Sequence, residues 1–168
     1  MAVLNVHERV LAASIDHAGR LIDGLASPGD RLWPRDRWPA MRLDRPLQVG
    51  AEGGHGPIRY VVDAYEPGHS VRFRFTAPHG FVGTHGFDVE ALDDARVRIR
   101  HVLDMRVEGP ARWSWPVVYR PLHDALIEDA FDRAESQVGG QVQRPRWSGW
   151  VRILRRLLAR RSRAARVQ

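Results

Sequence analysis

The chain has 168 residues, enough for one domain with a substantial apolar core, and it contains no cysteine. The absence of cysteine excludes a disulfide framework, a thiolate nucleophile and Cys-ligated zinc or iron–sulfur sites. Residues 1–143 hold 17 arginines and 20 acids and carry a net charge of −3, whereas residues 144–168 hold nine arginines, no acid and a charge of +9. The sequence therefore divides into a mildly acidic domain, 1–143, and a basic tail, 144–168.

Targeting and membrane-spanning signals are weak. The first residues carry charges at Glu8 and Arg9 and show no basic segment followed by an apolar stretch, so they do not predict a signal peptide. No window approaches the roughly 18 uninterrupted apolar residues of a membrane span. These patterns favour a cytoplasmic protein, and the use of arginine without lysine is typical of a GC-rich genome.

The segment "VLNVHERVLA" alternates with a period of two and predicts a strand. Its apolar residues Leu4, Val6 and Val10 share one face, which is expected to point to the core. Glu8 falls on the same face and is expected to point inward with them. A buried carboxylate needs a partner, or else it must lie in water at the mouth of a pocket.

A short helix and a loop follow. "SIDHAGRLIDGLAS" has helical spacing with Ser14 as a plausible N-cap, and the helix is expected to end at Pro28-Gly29. In "RLWPRDRWPAM" both Trp33 and Trp38 precede proline, and the residue before proline favours extended geometry. The segment is predicted to be an ordered loop, either a lid over a pocket or a plug of two indoles at one end of the core.

Residues 41–109 show the pattern of an antiparallel meander, with turns at "AEGGHG", "EPGH" and Asp93-Asp94. The alternation is clearest in "VRFRF" and in "VRIRHVLDMRV", where apolar side chains oppose arginines. Such a sheet has one wet face and one dry face, and the dry face must pack on another apolar element.

The helix "RPLHDALIEDAFDRAESQV" is the expected partner of the dry face. Its apolar positions are Leu122, Leu126, Ile127, Ala130, Phe131, Ala134 and Val138, and its acidic positions are Asp124, Glu128, Asp132 and Glu135. Because strands and helices do not alternate along the chain, the fold class is α+β, with a curved antiparallel sheet wrapped around this long helix.

The order of strand, short helix, Trp/Pro loop, meander and long helix resembles the START-like superfamily, also called SRPBCC, which includes the polyketide cyclase/dehydrase and lipid-transport family. The stretches "YEPGHSVRFRF" and "DVEALDDARVRIRHVL" are similar to its central hairpins, and "PLHDALIEDAFDRAES" is similar to its closing helix. The resemblance covers about residues 3–140 and implies a helix-grip fold with an elongated apolar cavity between sheet and helix.

For this superfamily the resemblance implies binding or transport of a hydrophobic small molecule or lipid, and in some members cyclisation or dehydration of a polyketide. No cofactor is expected. The residues expected to line the cavity are His101, His123, Tyr60, Phe73, Phe75, His85, Phe87, Ile99, Leu103, Met105, Leu126, Ile127, Ala130, Trp33, Trp38 and Glu8.

His101 and His123 are the candidates for chemistry, since both fall on faces predicted to be dry. An imidazole there can act as a general acid or base or can hydrogen-bond a ligand, because its pKa lies near neutrality. The alternative is a neutral core histidine whose nitrogens bond to a backbone carbonyl or a buried water. His85 and Tyr60 are weaker candidates from the same register.

Other chemistries find little support. The turn histidines lack the close spacing of a zinc site, so no metal is predicted. The glycine-rich "GAEGGHG" precedes no helix, so it offers no phosphate site at a helix N-terminus and is predicted to be a hairpin loop. No Gly-x-Ser-x-Gly elbow is present, which argues against an α/β-hydrolase.

The basic tail predicts an amphipathic helix from about Trp147. An apolar arc faces the core or a membrane, and arginines cover the opposite side. The residues predicted to contact an anionic membrane are Trp147, Trp150, Arg152, Arg155, Arg156, Arg160 and Arg163.

Three interpretations of the tail remain open. Two tryptophans beside a basic face favour a helix in the headgroup region of an anionic leaflet, at the inner membrane surface. The apolar arc could instead pack on the domain or on a protein partner. Nucleic acid would use the charge but not the apolar arc, so RNA binding is the least favoured reading.

Overall fold

The computed structural model describes residues 1–140, 142 and 147–164, with side chains as far as Leu158. Seven strands of the described residues form one antiparallel sheet in the order β1-β7-β6-β5-β4-β3-β2. They are β1 (Ala2–Leu11), β2 (Arg42–Leu43), β3 (Glu52–His55), β4 (Ile58–Glu66), β5 (Ser70–Ala77), β6 (Phe81–Ala91) and β7 (Val97–Val107).

The helices are α1 (Ile15–Asp23), α2 (Ala111–Ser114), α3 (Arg120–Gln137) and α4 (Gly149–Ala164), with a π-helical turn (Trp115–Tyr119) between α2 and α3. The long helix α3 packs on the concave face of the sheet, and the predicted α+β helix-grip architecture is confirmed. In the part of the chain described here, no helix has the length and apolar character needed to cross a bilayer.

Helix α1 begins and packs as its sequence requires. The Ser14 hydroxyl accepts a hydrogen bond from the backbone N–H of His17, which confirms the predicted N-cap. Gly24 ends the helix, earlier than predicted. At Gly19 the helix meets the turn at Gly68 so closely that an added Cβ would lie 2.2 Å from the Gly68 carbonyl oxygen. Only glycine at position 19 allows this approach.

The meander follows the predicted alternation, with one difference. Phe73 and Phe87 are buried, and Arg72 and Arg74 are exposed on the opposite face of β5. The glycine-rich segment predicted to be a hairpin loop instead forms strand β3, which pairs with both β2 and β4. Glycine suits this strand because neighbouring backbones approach closely there.

The predicted orientation of β1 is wrong. Leu4, Val6 and Val10 are 71%, 49% and 49% exposed on the outer face of this edge strand. Glu8, predicted to point inward, is exposed on the same outer face, where its carboxylate lies 3.8 Å from Arg98 of β7. Glu8 therefore does not line the interior.

The inner face of β1 carries polar side chains because α3 presents its carboxylates to them. Asn5 contacts Asp124, His7 contacts Asp124 and Glu128, and Arg9 contacts Glu128, Asp132 and Glu135. The acidic side of α3 is thus covered by the sheet. We call this set of paired side chains the β1–α3 network.

Helix α4 packs on the domain beside α3. Val151 and Leu154 are 4% and 6% exposed and belong to the main core. The Trp147 indole N–H donates to Asp129 of α3 at 3.0 Å, and the Trp150 indole N–H donates to the Val117 carbonyl at 2.7 Å. The described part of the tail therefore contributes to the same core as the domain.

The close contact of α1 with the Gly68 turn gives a first prediction. Gly19→Ala is expected to lower the free energy of unfolding by about 1–3 kcal/mol, because the new methyl group would overlap backbone atoms that have little room to move. Urea unfolding followed by circular dichroism measures the change. Gly149→Ala is the matched control, since its Cβ would meet nothing within 4 Å. Equal stability of the two variants would contradict this packing.

Candidate functional site

A row of aromatic and imidazole rings lies between the sheet and α3. His85 on β6 stacks with Phe73 and Phe75 of β5, with ring centroids 5.2 and 4.7 Å apart. His101 on β7 is next to His85, and the two rings are 5.6 Å apart. His123 of α3 lies 5.0 Å beyond His101. The predicted convergence of His101 and His123 in the interior is therefore seen in the structure, and His85 joins them.

These imidazoles are incompletely hydrogen-bonded. His85 Nδ1 lies 3.4 Å from His101 Nε2, and His123 Nδ1 lies 3.3 Å from an Asp124 carboxylate oxygen. Among the described residues, the opposite nitrogens, His85 Nε2, His101 Nδ1 and His123 Nε2, are buried and have no hydrogen-bond partner. Unpaired buried polar atoms are rare in folded proteins and often mark functional sites.

Burial keeps these imidazoles neutral. It lowers the pKa of His85 and of His101 well below the usual value, because a charged ring would lose its hydration there. It also lowers the pKa of His123, and the hydrogen bond to Asp124 opposes that effect only in part. Three neutral imidazoles therefore face an apolar interior, each able to donate or accept a hydrogen bond.

His7 behaves in the opposite way. Its hydrogen bonds to Asp124 and then to Glu128 outweigh its burial and raise its pKa from 6.5 to about 9. Burial would raise the pKa of Asp124, but hydrogen bonds from His123 and His7 lower it overall. His7 is therefore an imidazolium at neutral pH, paired with two carboxylates at 2.7 and 3.2 Å.

His7, His123 and Asp124 place ligand-type atoms within 4.8 Å of one another. The imidazole nitrogens that face Asp124 already contact its carboxylate oxygen, at 3.2 Å for His7 and 3.3 Å for His123. Asn5 donates to the same oxygen at 3.0 Å. Hydrogen bonding among the side chains present accounts for this cluster.

His7, Asp124 and Glu128 belong to the site but were not among the residues predicted for it. A signal for them exists in the spacing. Polar side chains recur every second residue along β1, and carboxylates recur at intervals of three or four along α3, so one strand face and one helix face carry opposite charges. That complementarity predicts contact between the two elements.

Two open depressions lie at the end of the fold formed by the Trp/Pro loop. One, of about 380 Å³, is bordered by parts of segments 26–35 and 40–42, including Trp33. The other, of about 680 Å³, is bordered by parts of segments 39–44 and 52–59, including His55. His55 Nδ1 lies 3.3 Å from the Tyr60 hydroxyl, and the Tyr60 ring lies 5.1 Å from His85. Polar groups thus connect the larger depression to the interior imidazoles.

The predicted lining residues are distributed over this interior. Those that are buried are Trp33, Trp38, Tyr60, Phe73, His85, Phe87, Ile99, His101, Leu103, Met105, Leu126, Ile127 and Ala130. Phe75 and His123 are partly buried. Leu103 and Met105 belong to a second cluster near α2, away from the main core.

The two loop tryptophans pack as a plug. The Trp33 indole N–H donates to the Pro39 carbonyl at 2.9 Å, and its ring lies 4.6 Å from that of His55. The Trp38 indole N–H donates to Asp129 at 2.6 Å. Trp33 borders the smaller depression, whereas Trp38 lies against α3 and the tail.

Asp129 fastens the loop and the tail to α3. Its carboxylate is buried and accepts from Trp38, Trp147 and Arg37. The Arg155 guanidinium stacks on Trp147 at 3.7 Å and on Trp38 at 4.4 Å, and it donates to the Arg37 carbonyl. We call this group the Asp129 hub.

The hub corrects two membrane-contact predictions. Trp147 and Arg155 pack on the domain and are not free to contact a bilayer. Trp150, Arg152 and Arg156 are exposed, so their predicted contact with a membrane stays a prediction. The side chains of Arg160 and Arg163 lie outside the described residues.

The raised pKa of His7 gives a prediction of pH dependence. Because the folded-state pKa of about 9 exceeds the usual 6.5, His7 stabilises the fold fully below pH 6.5, and this contribution disappears as pH rises through 9. His7→Gln should therefore be less stable than the wild type at pH 6.5, and the difference should shrink towards pH 9. Urea unfolding across this range measures it, and a pH-independent difference would contradict a charged His7.

Comparison with protein-family models and with curated proteins finds no match to this sequence. Solved structures are similar in fold. A truncated norcoclaurine synthase from Thalictrum flavum superposes with a TM-score of 0.62 at 16% identity, covering 84% of this chain and 96% of that one.

Two further structures extend the comparison. A START superfamily protein from Mycobacterium smegmatis has a TM-score of 0.58 at 10% identity, covering 81% of this chain and 97% of its own. Ara h 8.0201 has a TM-score of 0.58 at 13% identity, with coverages of 82% and 98%. At these identities the likeness shows the fold alone, which is the helix-grip fold of a curved antiparallel sheet around a long helix.

Proposed function

We propose that the protein binds a hydrophobic small molecule or lipid between the sheet and α3, with polar groups of the ligand on His85, His101 and His123. The observation that carries the proposal is the set of three buried imidazole nitrogens without a partner among the described residues. A hydroxyl or carbonyl group of a ligand would pair them, while the surrounding aromatic rings would contact its apolar part.

The fold supports this proposal. A norcoclaurine synthase with 15% identity and a TM-score of 0.61 was solved in complex with dopamine and hydroxybenzaldehyde. A ligand of this chain would enter at the larger depression, where His55 and Tyr60 lead towards His85. Transfer of a bound lipid between membranes is one use of such a site, as the sequence resemblance implies.

The ligand proposal predicts opposite effects on binding and stability. The double variant His85→Leu/His101→Leu removes an imidazole pair together, so the unliganded protein should keep or gain stability. Binding of the amphiphilic probe anilinonaphthalene sulfonate, whose sulfonate and amine can pair with imidazoles, and of any molecule that copurifies, should weaken about tenfold or more as hydrogen bonds are lost.

Fluorescence titration and native mass spectrometry measure the two forms of binding. The control is His79→Leu, which replaces an exposed histidine with the same side chain. If the double variant and the control bind alike, the interior imidazoles are not the ligand site.

Catalysis is the second candidate function, favoured by one observation. The Nδ1 atom of His123 faces the Asp124 carboxylate, and its buried Nε2 has no partner among the described residues. A carboxylate that accepts from Nδ1–H leaves the Nε2 lone pair free to take a proton from a bound substrate. A cyclase- or dehydratase-like reaction on a polyketide, with His101 beside the base, would use this arrangement.

The tautomer of His123 tests the catalytic candidate. Long-range ¹H–¹⁵N NMR spectra at neutral pH should show a neutral ring with the proton on Nδ1 and a bare Nε2. A proton on Nε2 would remove the proposed base, and the ligand-binding proposal would stand unchanged.

We further propose that the protein works at an anionic membrane surface through its C-terminal segment. The supporting observation is that Trp150, Arg152 and Arg156 stay exposed while the other face of α4 is docked. Each arginine near an acidic leaflet contributes on the order of 1 kcal/mol. A protein or RNA partner would use the same charges.

Charge removal in the full chain tests this membrane proposal. The quadruple variant Arg152→Gln/Arg156→Gln/Arg160→Gln/Arg163→Gln should lose sedimentation with vesicles that contain phosphatidylglycerol. It leaves Arg155 and the Asp129 hub intact, whereas truncation would expose the core. If the unmodified protein does not sediment with these vesicles but shifts RNA in a gel, the partner of the tail is nucleic acid and the membrane proposal is wrong.

A further inference from the structure

The most exposed tryptophan among the described residues lies in α2, outside the tail. Trp113 is 80% exposed, and Val117, one turn later in the π-helical turn, is 51% exposed. A large apolar side chain that is exposed by itself needs no explanation, but a contiguous group of them often marks an interaction surface. Trp113 and Val117 lie on a helical segment, so their spacing places them on one face.

The same surface continues onto α4. The Trp150 indole N–H donates to the Val117 carbonyl, so these two residues are in contact. Ile153 and Leu157 follow Trp150 at intervals of three and four residues and share its face of the helix. Trp150, Ile153 and Leu157 are 45%, 48% and 51% exposed. We call Trp113, Val117, Trp150, Ile153 and Leu157 the composite apolar surface.

Charge decides which partner fits this surface. The two segments that form it, 109–123 and 147–158, contain no aspartate or glutamate, although residues 1–143 are net acidic. Arginines lie on both segments, at Arg112, Arg152 and Arg156, and all three are exposed. Exposed apolar side chains with arginines beside them on the same helical segments match a bilayer with anionic headgroups, in which the rings enter the interface and the guanidinium groups meet phosphate.

We propose that the composite apolar surface is the membrane-docking surface of the protein, and that it binds an anionic bilayer with α4 still packed on the domain. This inference rests on the membrane association proposed above and extends it beyond the tail, to α2 and the π-helical turn. Trp147, Val151 and Leu154 stay packed on the domain, and the adjacent exposed side of α4, which carries Trp150, Ile153 and Leu157, contacts lipid. The bilayer is therefore touched by two helical segments at once.

Single substitutions in the full-length chain test the docking surface. Trp113→Ser should reduce partitioning onto vesicles of phosphatidylcholine mixed with phosphatidylglycerol by about tenfold. The variant lacks the mostly exposed indole that would enter the interface of the bilayer. Arg112→Gln should reduce it about fivefold, and only when the vesicles contain the anionic lipid. The matched control is Leu4→Ser, which replaces an apolar residue that is 71% exposed on the outer face of the sheet and should bind as the wild type does.

The outcomes separate this inference from the proposals on which it rests. Normal vesicle binding by Trp113→Ser, with loss in the tail charge variant, would overturn the composite surface and leave tail binding intact. Absence of vesicle binding by the wild type would overturn both. Light scattering could show that the wild type is a dimer and that Trp113→Ser is a monomer. A second copy of the chain would then occupy the surface, and the lipid proposal would be wrong. Unfolding midpoints and probe binding equal to those of the wild type confirm that the variant retains its fold and interior site.

Discussion

The pairing of the polar inner face of β1 with the carboxylates of α3 is the constraint on which the rest of the structure depends. Arg9 and His7 neutralise the acidic groups of α3, of which Asp132 is buried and would be costly to leave unpaired, while Asp124, Glu128 and Glu135 are partly exposed. The pairing fixes the rotation of α3 about its axis. With that rotation set, His123 faces His101, and Phe131 and Ile127 enter the core.

The same constraint divides the interior histidines into two electrostatic classes. His7 lies among carboxylates and keeps a proton, whereas His85 and His101, a few ångströms further in, are surrounded by aromatic rings and stay neutral. His123 lies at the border between these environments, with Asp124 on one side and the apolar interior on the other. A polar ligand group would therefore meet neutral imidazoles, with the nearest fixed charge behind them.

Much of the fold could be predicted from the sequence, because the meander and α3 have clear periodicity and a packed helix needs a dry sheet face. The orientation of β1 could not be predicted, because a rule that places apolar side chains in the core assigns Leu4 and Val6 to the inner face. An edge strand can expose apolar side chains when its polar ones have partners across the interface. The unpaired nitrogens of the interior site and the hub at Asp129 also depend on tertiary contacts between segments about 20 to 90 residues apart, which local spacing does not encode.

Docking of α4 gives the molecule a permanent electric dipole. A tail of charge +9 that moved freely would spread its field in all directions, but Arg152, Arg155 and Arg156 are fixed on one side of a domain of charge −3. Any extended negative surface exerts a torque on such a molecule before contact, and at low ionic strength this torque acts over tens of ångströms. The protein therefore approaches a polyanion with its arginine-bearing side turned towards it, and a larger fraction of encounters has the orientation needed for binding.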